Sequence, residues 1–471
     1  MSTAASVPRR WSSPGSWPGL LRGLALLAAR ETRSRLGLAP ARPVVNPASP
    51  ELRRLIDQHA RRVAPVDGEA AARLFTEGML AIWQTTLVRR PDGTIHVLTG
   101  DIPAMWLRDS AAQLRPFVLL ADQSDEVSDA IAAVVARQWA CIEVDPYANA
   151  FNPSPSGLSW HPGDQVSDPR VWERKYEVDS LAFPLQLAWQ LWQVTGRTDH
   201  LPTVVAGAQT VLELWQREQQ HPTRSIYRFT RCGGGSLPAN GRGTPVVDTG
   251  MTWSGFRPSD DPCRYGYNIP QQLFAAHTLR LLAQMAARED AAPNVAERAV
   301  TLADEIEAGV RRHGRVQVTG HGEVFAYEVD GLGSQVLMDD ANMPSLLSLP
   351  LCSSLRPDDP MYLATRRFVL SEANPSFHRG VHASGIGSPH TPAGHVWPIA
   401  LAVQALTTDD PEEQSRLTQS LVATAADGGV VHESFHPDDP RRHTRDWFAW
   451  ATAMVCELLL VRSELSPDAP R

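Results

Sequence analysis

The chain has 471 residues, of which 43% are hydrophobic and 20% charged, a balance that excludes a disordered protein and allows a sizeable core. A formal charge of −8 without a Lys/Arg stripe excludes a nucleic-acid backbone as partner. No run approaches the roughly 20 apolar residues needed to span a bilayer, so no membrane partner is expected.

Residues 1–48 are rich in Pro, Ser, Arg and Ala and read as a flexible extension outside the fold. Within them, Leu20 to Ala29 faintly resembles an export signal. Arg22 interrupts that run and Arg30, Arg33 and Arg35 follow it, so a cytoplasmic location is expected. The five Cys, Cys141, Cys232, Cys263, Cys352 and Cys456, are odd in number and scattered, which fits a reducing compartment and no disulfide framework.

The remainder, 49–471, reads as one domain of almost continuous helical periodicity. After a short leading helix near 51–63, the pattern predicts twelve helices: 68–88, 108–122, 126–142, 173–196, 200–218, 268–287, 292–313, 338–349, 359–371, 396–407, 411–427 and 444–463. The strand-like pieces Thr94 to Leu98 and Val316 to Val318 are short and read as hairpins decorating loops. Loops entering the helices at 108, 173, 268, 338, 396 and 444 carry nearly all the Asp, His, Trp and Gly clusters. Polar clusters ahead of every second helix predict six parallel inner helices with their N-termini at one end, and six outer helices returning the chain. The expected fold is therefore all-α, an (α/α)6 barrel, with an irregular helical solenoid as the alternative.

Each cluster has a plain use beside a functional one. In Thr99-Gly100-Asp101-Ile102-Pro103-Ala104-Met105-Trp106-Leu107-Arg108-Asp109-Ser110, Asp109 or Ser110 can simply cap a helix. Asp101, Trp106 and Arg108 add a carboxylate, a stacking plane and a guanidinium fork suited to a polyol. In Tyr176-Glu177-Val178-Asp179-Ser180, Asp179 is a cap or a ligand, and the long loop 152–170 before it carries Trp160, His161 and Asp164. The stretch Asp248 to Asp261 ends in two adjacent carboxylates, which do not readily both ionise in a partly buried site. One of them can therefore hold a proton for donation, unless the pair only shapes a turn before Pro262.

In Met338-Asp339-Asp340-Ala341-Asn342-Met343-Pro344, capping and ligand contact can coexist. His378, His382, His390 and His395 lack a metal-ligand spacing, so no metal is expected and neutral imidazoles bonding to hydroxyls are the better use. Glu433 in His432-Glu433-Ser434 lies in a loop, where a carboxylate can activate water, and Thr444-Arg445-Asp446-Trp447 follows it. Neither a GxxxxGK loop nor a GxSxG elbow occurs, which removes nucleotide and serine-hydrolase readings. The 14 Trp against 7 Tyr make a sugar ligand reasonable, although core packing is the commoner use of any one Trp.

Together these segments resemble glycoside hydrolase family 125, the exo-acting α-1,6-mannosidases. The resemblance rests on Gly100 to Ser110, Tyr176 to Ser180, Trp253 to Asp261, Asp339 to Ser345, Ala383 to His390 and His432 to Ser434, in the same order, across roughly residues 50 to 463. It implies an (α/α)6 barrel, no metal or other cofactor, a mannose-containing oligosaccharide or glycan as substrate, and hydrolysis with inversion. It also implies an Asp general acid within Ser259-Asp260-Asp261 and a Glu general base at Glu433; Asp260 is taken as the acid, with Asp261 the alternative. By residue type, Asp101, Arg108, Asp109, Arg257, Asp261, His390 and Arg445 are expected to grip the terminal sugar, and Trp106 and Trp253 to shape its pocket. Rival readings are a glucosidase or disaccharide phosphorylase of the same architecture, and a catalytically silent carbohydrate-binding protein. Glu433 argues against phosphorolysis, which usually dispenses with a base, and a silent binder would not need both carboxylates.

Overall fold

Burial sorts the helices into two kinds. The computed structural model describes residues 44–465 except 162, 163, 165, 167, 233, 290–292, 427 and 428. One kind is buried nearly all round, as an interior helix must be. Leu107–Ala112 is buried at every position, Val178–Thr195 from Val178 through Ala188, and Pro398–Leu406 from Pro398 through Ala405. Ile269–Arg288 and most of Ala449–Leu465 are of the same kind. The other kind buries a single stripe. Pro293–His313, for instance, buries Val295, Ala299, Leu302, Ala303, Ile306 and Val310 at helical spacing.

The buried helices pack on one another in sequence. The 107–112 helix lies on 178–195, which lies on 269–288, which meets Leu349–Cys352. The 398–406 helix lies on 449–465, which returns to 107–112. Stripe-burying helices sit against them: Asp125–Val144 on 178–195, 293–313 on 269–288, Pro411–Thr424 on 398–406, and Glu69–Thr86 on 449–465. Local signals set the starts. Ser49 Oγ accepts from Leu52 N at 3.0 Å ahead of Pro50–Asp67, and Asn268 Oδ1 accepts from Gln271 N at 3.1 Å ahead of 269–288. In both helices a Pro takes an early position, where its missing N–H is harmless.

Four expected helices differ. The 108–122 segment breaks at Gln113 and Leu114 into 107–112 and Arg115–Val118, because Pro116 has no N–H to continue the ladder. The helix expected from 173 starts at Val178, since Val171–Glu173 pairs with Ala150–Phe151, itself paired with Met105–Trp106. The 338–349 segment is a turn leading to the 349–352 helix. Asp339 draws it in by accepting from Leu346 N at 2.8 Å and Leu347 N at 2.9 Å. The last helix starts at Ala449 rather than 444, because Asp439–Thr444 pairs with Ser434–His436.

The expected hairpins form, Leu87–Arg89 with Ile95–Val97 and Arg315–Val318 with Gly322–Phe325. Among the described residues the strands form six sheets of two or three strands and no central one. Most of the expected extension, residues 1–43, lies outside the described residues. The packed body begins slightly before the expected boundary, with Asn46 and Ala48 buried and Val45 N bonded to Gln84 O at 2.7 Å. Among the described residues no helix is long and apolar enough to cross a membrane.

One buried ion pair ties two of these helices together. Arg115 Nε and Nη2 donate to Glu457 Oε2 and Oε1, each at 2.6 Å, joining 115–118 to 449–465. Arg115→Ala leaves Glu457 buried without its partner and is expected to cost about 3–5 kcal/mol in urea unfolding. A loss below about 1 kcal/mol would place the pair among ordinary surface contacts.

Candidate active site

A cavity of about 210 Å³ opens at the end where the buried helices begin. Six stretches of chain line it. They contribute Thr99, Ile102, Trp106, Arg108 and Asp109; Trp160, His161, Glu173 and Lys175; Pro258, Ser259 and Asp260; Asn342; His390 and Trp397; and Glu433, Arg445, Phe448 and Trp450. Each stretch precedes or opens a buried helix, so free N–H ends and their partial positive charge gather at this end.

Arg108 organises one wall. From the first turn of 107–112, its Nη1 donates to Glu177 Oε2 at 2.6 Å and to Asp179 Oδ2 at 3.1 Å, while Nη2 donates to Asp260 Oδ1 at 2.7 Å. Its Nε lies 3.8 Å from Asp109 Oδ2. Further donors complete the carboxylates: Asn149 Nδ2 to Glu173 at 3.0 Å and Glu177 at 3.2 Å, Gln271 Nε2 to Asp179 at 2.6 Å, and Lys175 Nζ to Glu173 at 3.0 Å. Asp260 has φ 64°, the left-handed region, which non-glycine residues hold only where surroundings enforce it. Its turn is closed by Asp260 N to Arg257 O at 3.0 Å and Arg257 N to Asp261 O at 2.8 Å.

The charges pull these groups apart. Burial raises Asp260, but Arg108 and Lys175 overcome it and hold the carboxyl well below the usual carboxylate range. Burial, with repulsion from Asp260 and Asp179, pushes Glu177 well above it despite Arg108. Burial also lifts Asp109 to about 6, opposed by Arg108 and assisted by Asp260.

The facing wall is built by the 434–436 and 439–444 hairpin. Glu433 precedes it and Arg445 follows it, with Arg445 Nη1 3.3 Å from Glu433 Oε1. Arg445, also left-handed at φ 43°, is held by Asp101 Oδ1 at 2.5 Å and Thr99 O at 3.0 Å. At the mouth, His390 Nδ1 lies 3.2 Å from Asp261 Oδ1. Desolvation lowers this imidazole, but the bond to Asp261 and the charges of Asp261, Asp260 and Glu433 raise it to about 9. His390 is therefore a cation at neutral pH rather than the neutral donor expected.

Of the residues singled out in sequence, Trp106, Arg108, Asp109, Asp260, His390, Glu433 and Arg445 line the cavity. Asp101 stands behind Arg445, and Asp261 turns to His390. Trp253 does not line the cavity: it is buried, stacked on His221 at 3.7 Å, with Gly243 and Gly266 leaving room for the indole. Arg257 does not line it either. Its Nε bonds Glu328 Oε1 at 2.5 Å and its guanidinium covers Tyr327, bracing the 258–261 turn from behind. Asp339 and Asp340 shape their own turn, and Asn342 reaches the cavity.

Glu173 and Lys175 were missed. They were hidden inside a predicted helix, although the mixed charges of Glu173-Arg174-Lys175 ahead of Glu177 were a usable signal. The indole N–H groups of Trp106 and Trp450 and the Ser259 hydroxyl are buried with no hydrogen-bond partner among the described residues, donors a ligand could use. Among the described residues no group of His, Cys, Asp and Glu is arranged to hold a metal ion.

Carboxylates, guanidinium groups and indoles gathered at one end of a helix-rich fold supply acceptors, donors and stacking planes suited to a sugar. A bacterial glucoamylase complexed with acarbose shares the fold at TM-score 0.53 and 13% identity, over 83% of this chain and 55% of that one. The chain belongs to glycoside hydrolase family 125: the family model, described as metal-independent alpha-mannosidase (GH125), matches residues 68–460. A Streptococcus pneumoniae metal-independent alpha mannosidase, solved as a non-productive substrate complex with alpha-1,6-mannobiose, is 42% identical with TM-score 0.86, over 89% of this chain and 99% of that one. The meiotically up-regulated gene 157 protein of Schizosaccharomyces pombe (strain 972) is 37% identical over 430 residues, 85% of this chain and 84% of the relative.

The His390–Asp261 pair makes a direct prediction. In an NMR titration the His390 ring should change charge near pH 9. In Asp261→Asn it should do so at lower pH, because the neutral amide no longer favours the imidazolium. A midpoint unmoved by the substitution would separate the two groups.

Proposed function

We propose that this family member is an inverting, exo-acting α-1,6-mannosidase, with Asp260 as general acid and Glu433 as general base. The observation that carries the reading is that Asp260 and Glu433, from distant segments, line one cavity, each beside its own guanidinium, Arg108 and Arg445. Asp260 protonates the departing glycosidic oxygen as the bond to the anomeric carbon breaks. Glu433 takes a proton from the water attacking the opposite face of the ring. Mannose and the α-1,6 linkage are favoured by the mannobiose held in the Streptococcus relative. Asp260 is favoured over Asp261 because only Asp260 lines the cavity. Arg108, Asp109, Arg445 and His390, with Asp101 behind Arg445, grip the terminal sugar, and Trp106 shapes its pocket.

On this reading the buried helices are the inner ring of an (α/α)6 barrel and the stripe-burying helices its outer ring. The catalytic domain is the 49–471 unit expected from the sequence, extended back to Val45 by the Val45 backbone bond and the burial of Asn46 and Ala48. The wall beside Glu433 is not free to hold phosphate, since Arg445 is already shared by Asp101 and Glu433.

The test is incubation with α-1,6-mannobiose in the presence of chelator, with the released anomer followed by NMR. β-Mannose should appear first. α-Mannose appearing first would overturn inversion, and no release would overturn the activity, leaving the silent binder. Asp260→Asn and Glu433→Gln should each lower turnover by about 10²–10⁴-fold with thermal unfolding unchanged. Full activity in either variant would refute its assignment.

A further inference from the structure

A general acid must carry a proton before the bond breaks, yet Asp260 is gripped by one buried cation, Arg108, and neighboured by a second, Lys175. Both favour the anion. The surroundings of Asp260 supply the answer in their charge count. Five carboxylates, Asp109, Glu173, Glu177, Asp179 and Asp260, crowd Arg108 and Lys175. Taking every acid out of water as an anion would leave uncompensated buried charge, so at least one retains its proton.

Glu177 is the member best placed to do so. Its side chain is fully buried, and Arg108 holds it through Nη1 at 2.6 Å while holding Asp260 through the adjacent Nη2 at 2.7 Å, so the two carboxyls sit on neighbouring nitrogens of one guanidinium. Two carboxyls held side by side on one buried guanidinium do not readily both ionise, so at rest the pair favours keeping one proton. The other groups near the pair are Asp109 on 107–112, Glu173 and Lys175 at the 171–173 strand, and Asp179 on 178–195. Tyr227, Cys263 and His390 come from the remaining loops. Asp179 accepts from Gln271 and Arg108, Glu173 from Lys175 and Asn149, and Glu177 from Arg108, Asn149 and Ser180; what sets Glu177 apart is the shorter bond from Arg108 Nη1, 2.6 Å against 3.1 Å to Asp179, beside Asp260 on Nη2.

We propose that Glu177 is the proton store of the general acid: the Glu177 and Asp260 carboxyls, bridged by Arg108, hold one proton between them and deliver it through Asp260. This rests on Asp260 being the acid. As the glycosidic bond lengthens, the single shared proton passes from Glu177 to Asp260 and on to the leaving oxygen, so both carboxyls end ionised, facing Arg108 and Lys175. The water's proton goes to Glu433, and solvent restores the pair before the next turnover. Glu177 touches neither sugar nor water in this scheme and is a positioning residue acting through Asp260.

The test compares two substrates across pH. In Glu177→Gln, Asp260 loses its proton source, so hydrolysis of α-1,6-mannobiose should fall at least tenfold at neutral pH. The alkaline limb of its kcat profile should move to lower pH, because Asp260 alone protonates only in acid. A 2,4-dinitrophenyl α-mannoside, whose leaving group needs no acid, should lose no more than about threefold. An unchanged alkaline limb, or equal losses on both substrates, overturns the proposal. If Glu177→Gln gives no cooperative thermal transition, Glu177→Asp is judged by the same criteria, since shortening the side chain draws its carboxyl back from Asp260. Failure of wild type to release mannose from mannobiose would instead overturn the activity, so the two failures are distinguishable.

Discussion

The Arg108 guanidinium lies in the interior beside four carboxylates, bonding Glu177 and Asp179 through one nitrogen and Asp260 through another, with Asp109 near its third. These partners come from three separate stretches of chain, so the one side chain fixes the relative positions of the 107–112 helix, the 178–195 helix and the 258–261 turn. Burying such a group is costly unless its hydrogen bonds are met. The cost is offset here by short bonds and by the outer donors Asn149, Gln271 and Ser180. The arrangement gives Asp260 a fixed direction, and its excess of acids over bases provides a reason for a proton to remain in the interior.

Around this contact the fold acts as a frame. Helices buried nearly all round pack on one another, and the loops that lead into them line one cavity. The loops at that face are free to differ, and they carry the chemistry: a charged wall from the first three stretches, a hairpin wall with Glu433 and Arg445, and indoles between. The two non-glycine residues at the cavity with left-handed backbone, Asp260 and Arg445, belong to opposite walls. Each is pinned by hydrogen bonds from its own turn or neighbours.

Much of this was legible in the residues. Alternation of polar loops with apolar helices gave six clusters, and five of those clusters supply cavity lining, the remaining stretch lining it through Trp160, His161, Glu173 and Lys175 ahead of Tyr176–Ser180. The misreadings share a cause. Glu173 and Lys175 lay in a segment whose apolar periodicity continued into 178–195, and only pairing with Ala150–Phe151 makes it a strand. Trp253 and Arg257 carry the residue types of a sugar site but face inward, one filling space left by two glycines and the other paired with Glu328.

The sequence by itself determined most of the buried helices and where polar groups would cluster, which are properties of periodicity and residue type; the narrowing to Asp260 or Asp261 and Glu433 as acid and base came from the family resemblance. The tertiary structure decided that Asp260 lines the cavity while Asp261 pairs with His390, that His390 is charged, and that Glu177 and Asp260 share the Arg108 guanidinium. Each depends on distances between residues far apart in the chain, and at a few ångströms in a low-dielectric interior those distances set which carboxyl keeps its proton.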